Sequence, residues 1–139
     1  MKTAVTAVRI VLGLLLFVFG LNGVLSAFGA GFIPQPEPPP DGGAFLGALV
    51  DGGFLPIISF FETVVGALLL AGRFVPLALV MLVPVSIGIV TYHLRFDPGG
   101  GVPAYVVAAA NVFLLWAYRA HLAPLLTPRA EPLAAPAQL

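Results

Sequence analysis

The stretch LPIISFFETVVGALLLAGRFVPLALVMLVPVSIGIVTYH, Leu55–His93, decides the fold. Only Glu62 and Arg73 carry a fixed charge along it, and Gly72-Arg73 separates its two apolar runs. About 20 apolar residues rising 1.5 Å each cross a hydrocarbon core of roughly 30 Å. The stretch therefore reads as two membrane-spanning helices, Leu55–Ala71 and Phe74–His93, joined by a tight turn. Working outward, Val5–Phe28 precedes them and Val102–Ala120 follows, giving four spans in all.

Composition agrees with that reading. Of 139 residues, 60% are hydrophobic and 9% charged, against about 25% charged in a soluble domain. The mean hydropathy is +1.07. Six basic residues in a chain of zero net charge provide no basic face for nucleic acid. With no cysteine, disulfides, thiolate metal sites and thiol redox chemistry by this chain are excluded. Bound redox cofactors and thiol-bearing partner proteins stay open. The expected fold is all-α: an integral membrane four-helix bundle over residues 1–125. A Pro- and Ala-rich cytoplasmic tail over 126–139 is expected to be disordered.

The first span has some marks of a signal peptide, with Lys2 and Arg9 ahead of Ile10–Leu25 and small residues at Ser26–Ala30. Its apolar core exceeds the 7–15 residues usual for a signal. It also carries Asn22 and the series Gly13, Gly20 and Gly23, which suits helix packing, so it is expected to remain as a span. Basic residues in short loops set orientation. Lys2, Arg9, Arg73, Arg119 and Arg129 fall on one side and Arg95 alone on the other, so both termini are expected in the cytoplasm, in a bacterial inner membrane.

The first outer loop begins with Pro34–Pro40 (PQPEPPP), an extended polyproline spacer. Asp41-Gly42-Gly43 is expected to break it, and Ala44–Val50 to form a short helix at the membrane interface. Within span three, Pro84 is expected to kink the helix and free the carbonyl of Val80.

In an apolar medium the informative residues are the polar ones. An acidic group near a helix centre costs about 2.5–3.5 kcal/mol on insertion scales, which makes Glu62 the most demanding residue. Ser59, Glu62, Gly66 and Arg73 share one side of their helix, and that side is expected to face other helices. Threading sets Asn22, Glu62, Tyr92 and His93 in the outer half of the membrane and Asn111 about 13 Å below the outer start of span four. Glu62, His93, Asn22, Ser59, Tyr92 and Asn111 are the candidate lining of a polar pocket opening outward. Plainer roles compete: Glu62 as a structural hydrogen-bonding residue, His93 with Tyr92 and Tyr105 in an interfacial belt, and the asparagines as packing glue. Arg9, Arg73 and Arg119 read as anchors reaching the headgroups.

Other chemistries lack their residues. His93 and His121 belong to opposite membrane faces, which rules out a shared metal or a bis-histidine haem, and the carboxylates are too scattered for a hard cation. No phosphate-binding glycine loop and no hydrolase triad is present.

The set Phe19-Gly20-Leu21-Asn22, Ala44–Gly53, Phe61–Leu77 (FETVVGALLLAGRFVPL), Tyr92–Pro98 (YHLRFDP) and Leu114–Arg119 (LLWAYR) resembles the DoxX family over roughly residues 5–126. The resemblance implies a four-helix bacterial inner-membrane protein, related to a DoxD-type subunit of thiosulfate:quinone oxidoreductase. Some members are membrane partners in redox-stress complexes. The family's acidic position in the second helix falls on Glu62, and the histidine closing the third falls on His93. The chain departs from the family at Gly88, where asparagine is common, and at Ser26, near which some members carry a histidine.

Two functions follow as expectations. In one, the chain is a redox-associated membrane subunit whose outward pocket binds a quinone-like or other small ligand; a quinone is the one cofactor left open, and no metal is expected. In the other, it is a non-catalytic scaffold for membrane or redox proteins, or for a second copy of itself. A small-solute carrier is a third alternative, although four spans without a visible repeat make alternating access hard to build. No complete catalytic constellation is present, so whether the chain is itself an enzyme stays open.

Overall fold

The computed structural model describes residues 1–129, and among them the chain is entirely helical. The helices are α1 (Lys2–Ser26), α2 (Pro40–Asp51), α3 (Phe54–Ala71), α4 (Val75–Phe96), α5 (Val102–Ala117) and α6 (Arg119–Leu122), followed by a 3-10 turn, Ala123–Leu126. Most of the tail expected to be disordered lies outside the described residues. Three helices, α1, α3 and α4, are long and apolar enough to cross a membrane. A fourth span exists if α5 and the segment Arg119–Leu126, bent by 77° to it, count as one.

The helix ends follow from local chemistry. α3 stops at Gly72, which takes a left-handed φ of 66°. The Gly72 N–H bonds the Leu69 carbonyl and the Arg73 N–H bonds Leu68, at 3.2 and 3.1 Å, the paired pattern of a glycine-terminated helix. Phe74 is also left-handed, at φ 53°, so the chain reverses within Gly72–Phe74. Pro76 and Pro103 stand in the first turns of α4 and α5, where a missing N–H costs little. Pro84 lies inside α4, and the helix nevertheless continues to Phe96.

Two expected boundaries are corrected. The short helix expected over Ala44–Val50 begins at Pro40, because proline is preorganised for a first turn and the two glycines continue it. Gly42 is needed there: a Cβ on it would lie 2.8 Å from the Tyr92 hydroxyl and 3.2 Å from the Phe96 Cβ of α4. The last apolar helix ends at Ala117 rather than Ala120. There the Arg119 guanidinium donates to the Trp116 carbonyl at 2.8 Å and lies over the indole ring, closing the helix with a cation.

In packing, α1 lies along α3, α3 meets α4, α4 meets α5, and α5 returns to α1, while α2 rests on α3 and α4. The core is aliphatic: Leu12, Leu16, Val65, Leu69, Leu79, Leu82 and Leu114 are all buried. Outside it, Phe60, Ile87 and Val112 are 59, 62 and 67% exposed, whereas Asn22, Ser59, Ser86 and Asn111 are only 2–7% exposed. Apolar side chains outward and polar ones inward is the reverse of a soluble protein, and it suits a solvent of lipid.

Candidate functional site

The α1–α3 contact is made by glycines. A Cβ on Gly20 would sit 2.6 Å from the Thr63 nitrogen and 2.8 Å from the Ser59 carbonyl. One on Gly66 would collide with the Phe17 nitrogen and lie 2.8 Å from the Gly13 carbonyl. The two backbones therefore touch, as small residues allow in membrane helices. Ser59 belongs to this seam, with its hydroxyl against Gly23. Its carbonyl accepts the Thr63 hydroxyl at 2.8 Å.

Asn22, in the same helix, is committed to the loop that follows α1. Its Oδ1 accepts the N–H groups of Phe32 and Ile33, both at 2.7 Å, and its Nδ2 donates to the Ile33 carbonyl at 3.4 Å. Tyr92 holds α2: its ring stacks with Phe45 at 6.2 Å between centroids and packs against Phe96 at 5.5 Å. His93 turns to its own helix end, with Nδ1 3.6 Å from Asp97 Oδ2 and 3.3 Å from the Asp97 carbonyl. Asp97 Oδ1 in turn accepts the Gly100 N–H at 3.0 Å, so His93 and Asp97 shape the turn between α4 and α5.

Glu62 and Asn111 differ from these four. Glu62 is half-buried, and no hydrogen bond or ion pair to it is found among the described residues. At 100° per residue it lies between the α1-facing side of α3 (Ser59, Thr63, Gly66) and the core side (Val65, Leu69), which turns it toward the helices. Asn111, 2% exposed, donates from Nδ2 to the Ser86 hydroxyl across the α4–α5 contact at 3.3 Å. Its Oδ1 is buried without a partner among the described residues. Flipping the amide exchanges the two arms, and one arm is left open either way.

The six expected lining residues thus separate by what they bind. No hydrogen bond or ion pair joins Glu62 to His93. Asn22, Ser59, Tyr92 and His93 each serve a local contact; Glu62 and Asn111 keep free hydrogen-bonding capacity. Using the standard rise, Asn111 lies about 14 Å and Glu62 about 12 Å from the N-terminal ends of α5 and α3, a similar depth if both helices span.

Ser86 was missing from the sequence reading. Its signal was depth: it stands about 15 Å from the C-terminal end of α4, level with Asn111. Arg9 also does more than anchor. Its guanidinium donates to the Leu69 carbonyl at 2.7 Å, satisfying the C-terminal end of α3 from a neighbouring helix.

Among the described residues no group of three or more His, Asp or Glu side chains is placed to hold a metal. No protein-family model, no curated protein and no solved structure matches the chain.

Proposed function

We propose that the chain is a four-span protein of a bacterial inner membrane with both ends in the cytoplasm, of DoxX type. In this reading it is a redox-associated subunit that holds a small hydrogen-bonding ligand at Glu62 and Asn111. One observation carries the site: the open arm of Asn111 is fully buried beside Ser86, at the depth of a carboxyl that also lacks a protein partner. An unpaired buried polar group costs about 1–3 kcal/mol, so a ligand that parts the α4–α5 contact and supplies the missing bond recovers that cost. The redox assignment rests on the family resemblance.

A quinone-like headgroup fits this donor set. Its carbonyl accepts from an amide N–H, a serine hydroxyl or the acid form of a carboxyl, and its reduced hydroxyl donates to an amide or carboxylate oxygen. Asn111 and Ser86 offer the first of these groups together across α4–α5, and Glu62 offers a carboxyl at similar depth on α3. A bound quinone would supply two-electron, two-proton redox capacity that no side chain of this chain has.

The test is to purify the protein from quinone-replete membranes, extract it with solvent and quantify quinone per chain. Retention by the wild type, falling about tenfold or more in Asn111→Leu and Glu62→Gln, is expected from the loss of a buried hydrogen bond. No retained quinone in the wild type, or equal retention in the variants, contradicts the reading.

A scaffold role has one observation of its own. Ala108, Ala109, Val112, Phe113 and Trp116 line an apolar depression of about 580 Å³ on α5. Small residues beside an aromatic wall suit a helix of another membrane protein. Crosslinking from Val112→Cys in native membranes checks it: discrete adducts favour this role, and recovery of the uncrosslinked chain alone argues it down.

A further inference from the structure

We propose that the cleft between the first turn of α2 and the last turn of α4 binds the headgroup of a zwitterionic phospholipid of the phosphoethanolamine type. The proposal rests on the chain lying in a bilayer and is independent of any ligand at Glu62 and Asn111.

The cleft has a volume of about 200 Å³ and is lined by Pro39, Pro40, Asp41, Arg95 and Phe96. That is below the roughly 300–1,000 Å³ of pockets for drug-sized molecules, and it suits a compact polar headgroup. Its two charges are opposite in sign, yet no ion pair within 4.0 Å joins them; the ion pair found among the described residues is His93–Asp97. Each therefore keeps its hydrogen-bonding capacity. The Arg95 guanidinium is held 5.7 Å from the centre of the Phe96 ring at the cleft wall.

Anion binding has a second contributor. α2 has twelve residues, and Pro40 occupies its first position. The following N–H groups, of Asp41 and Gly42, lie before the first backbone bond of the helix, which Gly43 makes to the Pro39 carbonyl at 2.7 Å. Asp41 lines the cleft whereas Gly42 is buried, so a phosphate between the Asp41 N–H and Arg95 gains the helix dipole and a guanidinium fork together. A purely anionic headgroup would bring its charge against Asp41. A headgroup that also carries a primary ammonium pairs Asp41 instead. A quaternary ammonium has no N–H to give a carboxylate, so phosphocholine is the poorer fit.

A lipid is favoured over a free metabolite by the neighbouring surface. Phe45, which stacks on Phe96 at 5.5 Å, is 44% exposed, and Leu94 beside Arg95 is 64% exposed. These apolar groups border the polar cleft, as acyl chains border a headgroup. α2 holds its place because Gly42 lets Tyr92 and Phe96 approach its backbone.

The experiment uses the full chain in vesicle-derived nanodiscs of equal parts phosphatidylethanolamine, phosphatidylglycerol and phosphatidylcholine, with retained lipid identified by native mass spectrometry. Asp41 and Arg95 are exposed, so Asp41→Asn and Arg95→Gln are expected to fold. The wild type should retain phosphatidylethanolamine about tenfold over either competitor, the effect of one charge-assisted hydrogen bond. Asp41→Asn should reverse the preference toward phosphatidylglycerol, and Arg95→Gln, which removes the contact to the phosphate that all three lipids share, should lower retention of every lipid. Soluble glycerophosphoethanolamine should compete at least about a hundredfold more weakly, since it buries no acyl chain. Equal retention of the three lipids, an unchanged ratio in Asp41→Asn, unchanged retention in Arg95→Gln, or a soluble headgroup binding as well as the lipid would each overturn the proposal. Quinone retention is measured separately, so the two sites fail or stand independently.

Discussion

The α1–α3 and α4–α5 contacts join helices of the same apolar chain by opposite means. Along α1–α3, Gly13, Gly20 and Gly66 bring backbone against backbone, and the polar side chains present are absorbed by local bonds. Between α4 and α5 the contact is less extensive, and a serine and an asparagine meet with one amide arm left over. Close contact between helices in lipid thus consumes hydrogen-bonding groups, whereas looser contact can leave them for a ligand. Among the described residues the first pair leaves no buried polar group over, and the second leaves one amide arm unpaired.

The largest test of this contrast is steric. Gly66→Leu should destabilise the fold by about 3 kcal/mol or abolish it, because overpacking here meets backbone rather than a movable side chain. Gly88, in α4, has nothing within 4 Å of where its Cβ would be. Gly88→Ala should therefore stabilise by roughly 0.5–1 kcal/mol through helix propensity alone. Thermal unfolding in detergent reads both; similar effects at the two glycines would dissolve the distinction between the helix pairs.

A smaller effect is expected at the polar pair. Ser86→Ala strands the remaining arm of Asn111 and should cost about 1–2 kcal/mol, while the double variant Ser86→Ala/Asn111→Leu, which removes both polar groups, should recover most of it. Additive losses in that double-mutant cycle would mean the two side chains do not interact.

Asn22→Ala should act locally. Freeing the Phe32 and Ile33 N–H groups should raise hydrogen exchange across residues 27–39 at a cost of about 1 kcal/mol, with little change in α1 and α3. Exchange rising throughout α1 instead would make Asn22 part of the helix seam. The smallest effect is expected from Arg9→Met, roughly 0.5–1 kcal/mol, from the lost carbonyl bond at the end of α3. No measurable change there would return Arg9 to a simple headgroup anchor.

Much of the fold was legible in the sequence because lipid permits few solutions. Long apolar runs, glycine turns and a proline near a helix start mark α1, α3 and α4 to within three residues at each end. The ends of α2 and α5 were not legible. Asp41-Gly42-Gly43 reads as a breaker until Tyr92 and Phe96 are seen packed on Gly42, a contact fifty residues away in sequence. The break after Ala117 depends on where the Arg119 guanidinium folds back.

Residue type and depth marked six polar candidates in the sequence, Glu62 and Asn111 among them, but not the partner of any. Spacing along a helix does not tell that Asn22 reaches loop N–H groups ten and eleven residues on, or that His93 meets Asp97 rather than a neighbouring helix. Those choices are made by loop geometry, which a periodicity does not encode.

The central claim is that the carboxyl of Glu62 faces neighbouring helices while the apolar side chains beside it face lipid. The chain has no cysteine, so single spin labels can be placed without background at Phe60, Phe61 and Glu62. In liposomes, the label at position 62 should collide with dissolved oxygen, which concentrates in acyl chains, several-fold less often than labels at 60 and 61. Equal oxygen accessibility at the three positions would contradict the account.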